Sequence, residues 1–323
     1  MSRIRPMYDG IRLNAAITSD NHIDINVKSN RQRIKTIKKV LADVAKSEAA
    51  IDAYITVGDT TSRGLTENWE IAKECYGNFT AAKQIIFTLG NHDSWSKDGF
   101  EGYADGIKNF YKYSAEICSN KIERPYFTKI INGYHFIFLG SDGVPENEDC
   151  AFISEEQKAW FKAEMDAAAG SGKPVFVFCH QSVNTHHGLP KTWDEKEDPN
   201  ALPEIGGIGK DSDDIENILK NYRNVFYFSG HSHMGLCGEK SAAENGFASF
   251  EKYDGVNYIN LPCLTRPNHH GEDEKTGQGL MLEVYDGKVV IRPRNFRKKK
   301  MNKKTAIRNG KPYLEEKLYN GLF

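Results

Sequence analysis

Apolar residues along this chain gather in short runs. Those at 13–18, 53–57, 84–89, 135–139, 174–179 and 225–229 are near-continuously hydrophobic, the pattern of strands buried on both faces. A further run covers 256–261, while 280–285 and 288–292 flank Asp286-Gly287, the strongest short hairpin signal in the sequence. Between the runs the period changes. Ile34, Ile37, Leu41 and Val44 fall at helical spacing in a segment rich in lysine and arginine, which predicts an amphipathic helix with its charged face in water. Ser154 and Gln157 have capping-box spacing ahead of Trp160 and Phe161. Asp211 or Ser212 is placed to cap a helix carrying Ile215, Ile218, Leu219 and Tyr222. Strand-like runs alternating with helical segments predict an α/β architecture. No internal repeat or dividing linker is evident, so the expectation is one domain over 1–296 followed by a basic extension, 297–323.

Two stretches break the pattern. Residues 181–210 mix glycine, proline and both signs of charge, and are long for a plain connection, which marks functional or unstructured loops. The basic segment 297–304 reads as a solvated surface run, with an acidic partner as the alternative.

Composition narrows the function classes. Across 323 residues the formal net charge is -1, so nothing draws the whole molecule toward nucleic acid or an anionic membrane. No apolar run approaches the length of a membrane span, and the N-terminus lacks the apolar core of a signal peptide. The six cysteines are scattered without Cys-x-x-Cys pairs, which argues against a disulfide framework and against a thiolate zinc site. The expectation is a cytoplasmic protein.

The informative polar residues stand where the runs end. Five runs lead directly into metal-ligand types: Asp20-Asn21-His22, Gly58-Asp59, Gly90-Asn91-His92-Asp93, His180, and Gly230-His231-Ser232-His233. Ligands in open α/β sheets gather beyond the carboxyl ends of strands, so these five turns are expected to share one rim. The glycines before Asp59, Asn91 and His231 allow tight turns or close backbone approach. Taken singly, each residue has an ordinary reading: Asp20 as a cap, Asn91 as a turn residue, His180 as a core histidine. Together, Asp20, His22, Asp59, Asn91, His180, His231 and His233 offer seven oxygen and nitrogen donors. That is too many for one tetrahedral zinc, but it suits two ions bridged by a carboxylate. Two ions ~3.5–4 Å apart can clamp a phosphoryl group and hold a hydroxide between them for in-line attack on phosphorus.

The ordered blocks resemble the calcineurin-like metallophosphoesterases, whose pattern is Asp-x-His, Gly-Asp, Gly-Asn-His-Asp/Glu, an isolated His and Gly-His-x-His. All are present in order from Asp20 to His233, about two-thirds of the chain. The resemblance implies a central β-sandwich flanked by helices, a four-layer αββα fold. It implies two divalent or trivalent transition-metal ions, Mn, Fe or Zn, with Asp20, His22 and His233 on one, Asn91, His180 and His231 on the other, and Asp59 bridging. It also implies that His92 contacts phosphate and protonates the leaving group, with Asp93 orienting His92 or tuning its pKa. One position departs from the family. Many relatives carry an acid after Gly-Asp-x-x, where this chain has Ser62. The next residue, Arg63, lines up with an arginine that grips phosphate in the protein-phosphatase branch and is a candidate substrate contact, with a surface ion pair as the alternative.

The remaining chemistry-bearing residues have plainer readings. His135 reads as packing or surface, and His186, His187, His269 and His270 as solvent-exposed loop residues. Cys179 reads as a small buried hydrophobe, and the Tyr and Phe residues of 100–113 as core. The expected function is metal-dependent hydrolysis of a small phosphate ester. Gly90-Asn91-His92-Asp93 favours a phosphodiester, while Arg63 favours a monoester. A nuclease would add a basic groove and steep salt dependence, and a non-catalytic scaffold with the same fold would lack several ligands or the counterpart of His92. No specific nucleic acid or membrane partner is indicated.

Overall fold

The computed structural model describes residues 3–96, 102–118, 121–193, 204–270, 276–301 and 314–317. In chain order it begins β1 (Leu13–Thr18), α1 (Val27–Val44), β2 (Ala53–Val57), α2 (Thr66–Tyr76), β3 (Ile85–Thr88), α3 (Asn91–Ser94) and α4 (Tyr103–Cys118). There follow β4 (Phe127–Ile131), β5 (Tyr134–Phe138), α5 (Glu155–Ala169), β6 (Val175–Phe178), α6 (Ser212–Leu219), β7 (Val225–Ser229), α7 (Glu239–Asn245), β8 (Phe250–Tyr253) and β9 (Val256–Asn260). It closes with β10 (Gln278–Tyr285), β11 (Lys288–Asn295), β12 (Lys300–Met301) and β13 (Leu314–Lys317).

The strands form two mixed sheets. One runs β12-β11-β10-β1-β2-β3, with β13 also on β11, and the other runs β4-β5-β6-β7-β9-β8. β1, β2 and β3 are parallel, as are β5, β6, β7 and β9. Alternation along each strand sends one set of side chains inward. Leu13, Ala15, Ile17, Ile55 and Val57 meet Phe136, Phe138, Phe176, Phe178, Phe226 and Phe228 in a common inner core. Phe138, Phe178 and Phe228 stack across three adjacent strands at centroid distances of 4.9 and 5.0 Å. The opposite faces are covered by helices: Ile37, Val40, Trp69 and Phe110 lie over the first sheet, and Phe161, Met165, Ile215 and Leu219 over the second. Helix, sheet, sheet, helix is the four-layer α/β sandwich that the sequence led us to expect.

Local details both match and depart from expectation. Lys288 pairs with Tyr285 across the Asp286-Gly287 turn, with Gly287 at φ 75°. The Ser154 hydroxyl accepts from the Gln157 N–H at 3.1 Å, but the returning arm of the capping box is absent. The Gln157 amide instead exchanges bonds with the N–H and carbonyl of Gly140 at 3.2 and 2.9 Å, satisfying the backbone beyond β5. Neither Asp211 nor Ser212 caps α6 with its side chain. Asp211 accepts from the Ile153 N–H, and Ser212 Oγ from the Asn184 N–H. Of the aromatics of 100–113, Phe110 and Tyr113 are core, and Phe100 lies outside the described residues. β12 and β13 place 300–301 and 314–317 on β11, while 302–313 and 318–323 lie outside the description. No helix among the described residues is long and apolar enough to cross a membrane.

Candidate metal centre

β1, β2 and β3 of one sheet and β6 and β7 of the other end at a common place, and the residues just past those ends meet there. His22 N–H donates to the Asp59 carbonyl at 2.9 Å, and Asp20 N–H to that of Gly58 at 3.2 Å, so the first two turns zip together beyond their strands. Hydrogen bonds to the backbone and from it also cross between the sheets. His180 Nδ1–H donates to the Val57 carbonyl at 2.7 Å, and the His231 N–H to Asp20 Oδ2 at 3.2 Å. The first holds a proton on Nδ1 and leaves Nε2 as the atom that takes either a second proton or a cation, the usual preparation of a ligating imidazole.

Crowding here forces unusual backbone. Asp20, His22, Asp59, His231 and His233 all have positive φ, between 46° and 69°, a region that costs side-chain-bearing residues about 1–3 kcal/mol each. Gly58 and Gly230 give the room: a Cβ would overlap the His180 ring at the first and the Ser19 hydroxyl at the second.

The side-chain atoms converge in two groups. In one, His22 Nε2 is 2.8 Å from His233 Nε2, and Asp20 Oδ1 is 3.1 and 3.7 Å from His233 and His22 respectively. In the other, His180 Nε2 is 3.2 Å from both His231 Nδ1 and Asp59 Oδ2. Asp59 Oδ2 also stands 3.7 Å from His22 Nε2, between the groups. Asn91 turns its amide N–H toward the Glu148 carbonyl, and its Oδ1 has no hydrogen-bond partner although buried. Asp20 Oδ1 is likewise buried without one. Each facing pair of imidazole nitrogens can share only one proton, and the orphaned oxygens beside them are costly in a low-dielectric interior. A cation satisfies all of them at once, so the residues fit a pair of ions of the N/O-preferring kind.

Electrostatics report the same crowding. Burial opposes charge on Asp20 and Asp59, yet the neighbouring histidines overcome it and hold both carboxyls well below the usual range. Burial drives His22 down to about 3. It also acts against a charged His180, but the Asp59 carboxylate prevails and lifts that imidazole to about 9.

His92 has a different setting from the one expected. Its Nδ1 bonds to the Ser62 carbonyl at 3.0 Å, and its N–H donates to Asp59 Oδ1 at 3.0 Å. The carboxylate of Asp93 does not reach its ring. It accepts from the N–H groups of Gly90, Thr60 and Thr61 and from the Thr61 hydroxyl, buckling the turn after β3 to the turn after β2. Burial and the nearby Asp59 charge push Asp93 up to about 7. Ser62 supports His22, its hydroxyl donating to the His22 carbonyl at 2.9 Å. Arg63 is exposed in the same turn.

His186 and His187, expected in solvent, are buried. His186 packs 4.2 Å from the Tyr258 ring and bonds Glu216 at 3.0 Å, and His187 Nδ1–H donates to the Ala248 carbonyl at 2.8 Å. His269 and His270 are half-buried, the former donating its N–H to the His233 carbonyl at 3.0 Å. Two neighbours of the centre escaped the sequence reading. Trp193 lies against the His231 ring at 4.4 Å, with no local signal to announce it. Cys263 lies beside His22 and His233, and here a signal existed, because it follows β9 as the other donors follow their strands.

A cation entering the second group must displace the proton that Asp59 stabilises on His180. Metal uptake at pH 8 is therefore expected to release protons, and apparent affinity to rise with pH toward about 9. Titration calorimetry in buffers of different ionisation enthalpy measures this; uptake with no proton release would contradict the arrangement.

A family model described as calcineurin-like phosphoesterase matches residues 13–235. No curated protein matches the chain in sequence. Among solved structures, a dimetal phosphatase from Danio rerio aligns with TM-score 0.57 at 12% identity, over 88% of this chain and 97% of that one. Purple acid phosphatase PPD1 from yellow lupin (Lupinus luteus) seeds aligns with TM-score 0.61 at 10% identity, over 90% of this chain and 52% of its own. GAP50, described as the anchor in the inner membrane complex of Plasmodium, aligns with TM-score 0.52 at 12% identity, over 95% and 88%. At such identities the structural likeness is one of fold. The family match is in the sequence itself and spans every one of the seven strand-end donors, so the chain belongs to the calcineurin-like phosphoesterases, metal-dependent hydrolases of phosphate esters.

Proposed function

We propose that this chain hydrolyses phosphodiesters at a centre of two transition-metal ions. Asp20, His22 and His233 would hold one ion and Asn91, His180 and His231 the other, with Asp59 shared. The observation that carries this reading is the Asp59 carboxylate, whose Oδ2 lies 3.2 Å from His180 Nε2 and 3.7 Å from His22 Nε2, one nitrogen from each group. Mn, Fe and Zn all suit such oxygen and imidazole donors. Bound there, the ions would supply Lewis acidity at the phosphoryl oxygens and a water acidic enough to act as nucleophile at neutral pH.

The chain's own residues supply the proton and the orientation. The Ser62 carbonyl keeps a proton on His92 Nδ1, which leaves Nε2 as the atom through which this ring hands a proton to the leaving oxygen. The backbone N–H of His92 on Asp59 Oδ1 ties the turn that carries the ring to the carboxylate that the two ions would share. Asp93 acts as a positioning residue through the two turns it joins.

Preference for a diester is supported from two sides. The Gly90-Asn91-His92-Asp93 block resembles the phosphodiesterase-like branches. Asp149, pushed up to about 6 by burial and by Glu148, lies within electrostatic reach of His92 and Asp59, and an acid there disfavours the second negative charge of a monoester. Arg63 is the opposing feature; we assign it as a substrate contact at the rim, where its guanidinium suits phosphate oxygens. We place the protein in a reducing, cytoplasmic compartment, supported by six free cysteines, all but Cys118 buried. We read the catalytic unit as ending at 296, with the basic extension only adding β12 and β13 to the edge of its first sheet.

Turnover of a bis-aryl phosphodiester against an aryl monophosphate, on metal-loaded protein, tests the substrate preference; the diester is expected to be faster, and a clear preference for the monoester would reverse the assignment. Asp59→Asn is expected to lose bound metal and turnover together, because a shared carboxylate serves both ions, measured by elemental analysis and rate; wild-type values would remove Asp59 from its bridging role. His92→Ala is expected to keep its metal and lose about 10²–10⁴-fold in rate, mainly for leaving groups of high pKa. An equal loss across leaving groups would count against proton donation.

A further inference from the structure

The loop after β9 runs Leu261-Pro262-Cys263-Leu264-Thr265-Arg266-Pro267-Asn268-His269 and passes beneath the turn that carries Asp20 and His22. It is tied there at several points. Cys263 bridges to Ser19 in parallel register, Thr265 Oγ1 donates to the Asn21 carbonyl at 2.7 Å, and the His269 N–H reaches the His233 carbonyl at 3.0 Å. Asn268 clamps Cys263 from both sides: its Oδ1 accepts from the Cys263 N–H at 2.6 Å, and its Nδ2–H donates to the Cys263 carbonyl at 3.1 Å. The thiol is thereby held in place, fully buried. Its sulfur and ring nitrogens of His22 and His233 all lie within 4.8 Å of one another.

The space beside that sulfur already asks for a cation. Asp20 Oδ1 is fully buried, has no hydrogen-bond partner, and stands 3.1 Å from His233 Nε2 and 3.7 Å from His22 Nε2. We propose that Cys263 supplies a sulfur donor to the cation held by Asp20, His22 and His233, so that the two halves of the centre differ in softness. This rests on the two-metal reading above and goes beyond it: the sequence pattern offers only oxygen and nitrogen donors, and Cys263 lies outside the matched span of 13–235.

The proton balance is simple. As the chain stands, the Cys263 S–H donates to the Asp20 carbonyl at 3.2 Å, and the Arg266 N–H donates to the sulfur at 3.4 Å. On metal binding the thiol proton leaves to solvent and the sulfur lone pair goes to the ion, with no change of oxidation state. The Arg266 N–H remains as a donor to the thiolate, which it stabilises. A thiolate favours Zn or Co over Mn, whereas the Asn91, His180 and His231 half keeps only harder donors.

Cobalt and zinc make the sulfur visible. Wild-type protein loaded with two equivalents of Co(II) is expected to show a near-ultraviolet sulfur-to-cobalt charge-transfer band. X-ray absorption of the zinc-loaded protein is expected to show a Zn–S distance of about 2.3 Å. In Cys263→Ser the band should vanish while two cobalts remain bound, and the preference for zinc over manganese should fall. Two bound cobalts with no sulfur band in the wild type, or a band that persists in Cys263→Ser, would overturn the role of Cys263 and leave the two-metal reading standing. Failure of the wild type to bind cobalt at all would overturn both. The wild-type spectra decide the matter even if the serine variant does not fold.

Discussion

Two carboxylates and four imidazoles, all but His233 buried, lie within a few ångströms of one another, and much of this molecule is arranged to keep them there. Asp20 and Asp59 come from one sheet, His180, His231 and His233 from the other, and His22 from the turn between β1 and α1. Such groups repel, attract and desolvate one another at a cost no single strand end could bear. Only the packing of the two sheets can hold them, through the phenylalanines that stack across β5, β6 and β7 and the aliphatic side chains of β1 and β2 that face them. The hydrogen bond from His180 to the Val57 carbonyl is where that packing becomes chemistry. It joins the sheets at the centre and determines which nitrogen of His180 is available.

The same constraint explains the backbone. Five donor-bearing residues sit in the left-handed region, where residues with side chains seldom rest. Their strain is held by the main-chain bonds between the turns after β1 and β2, and by Asp93, whose carboxylate gathers three backbone N–H groups beneath them. Asp93 thus works on the chemistry at one remove: it sets the geometry of the turn carrying Asp59, and Asp59 in turn receives the N–H of His92. Ser62 contributes twice, with a hydroxyl on the His22 carbonyl and a carbonyl on His92.

Much of this was legible in the sequence for a physical reason. Strands buried on both faces must be apolar, so the first polar residue beyond each stands out, and five such places contained metal-ligand types. β1, β2 and β7 have the bounds their apolar runs predict, because burial on both faces and polarity at the ends coincide. What remained hidden depended on partners distant in sequence. Gln157 has the spacing of a capping box, but the unsatisfied backbone of Gly140 competes for its amide. His186 and His187 look like loop residues until Tyr258, Glu216 and Ala248 enclose them. The link from His92 to Ser62 runs through a carbonyl, which no side-chain pattern encodes. Cys263 fell between these cases: its strand was recognised, but a single cysteine without a Cys-x-x-Cys partner gives no sign that histidines from two other turns stand beside it.

Anomalous diffraction from crystals loaded with manganese or zinc would locate the ions themselves. Two peaks roughly 3.5–4 Å apart are expected, with the Asp59 carboxylate between them. One peak lies among Asp20, His22 and His233, the other among Asn91, His180 and His231. A single peak, or peaks remote from Asp59, would contradict the two-ion centre.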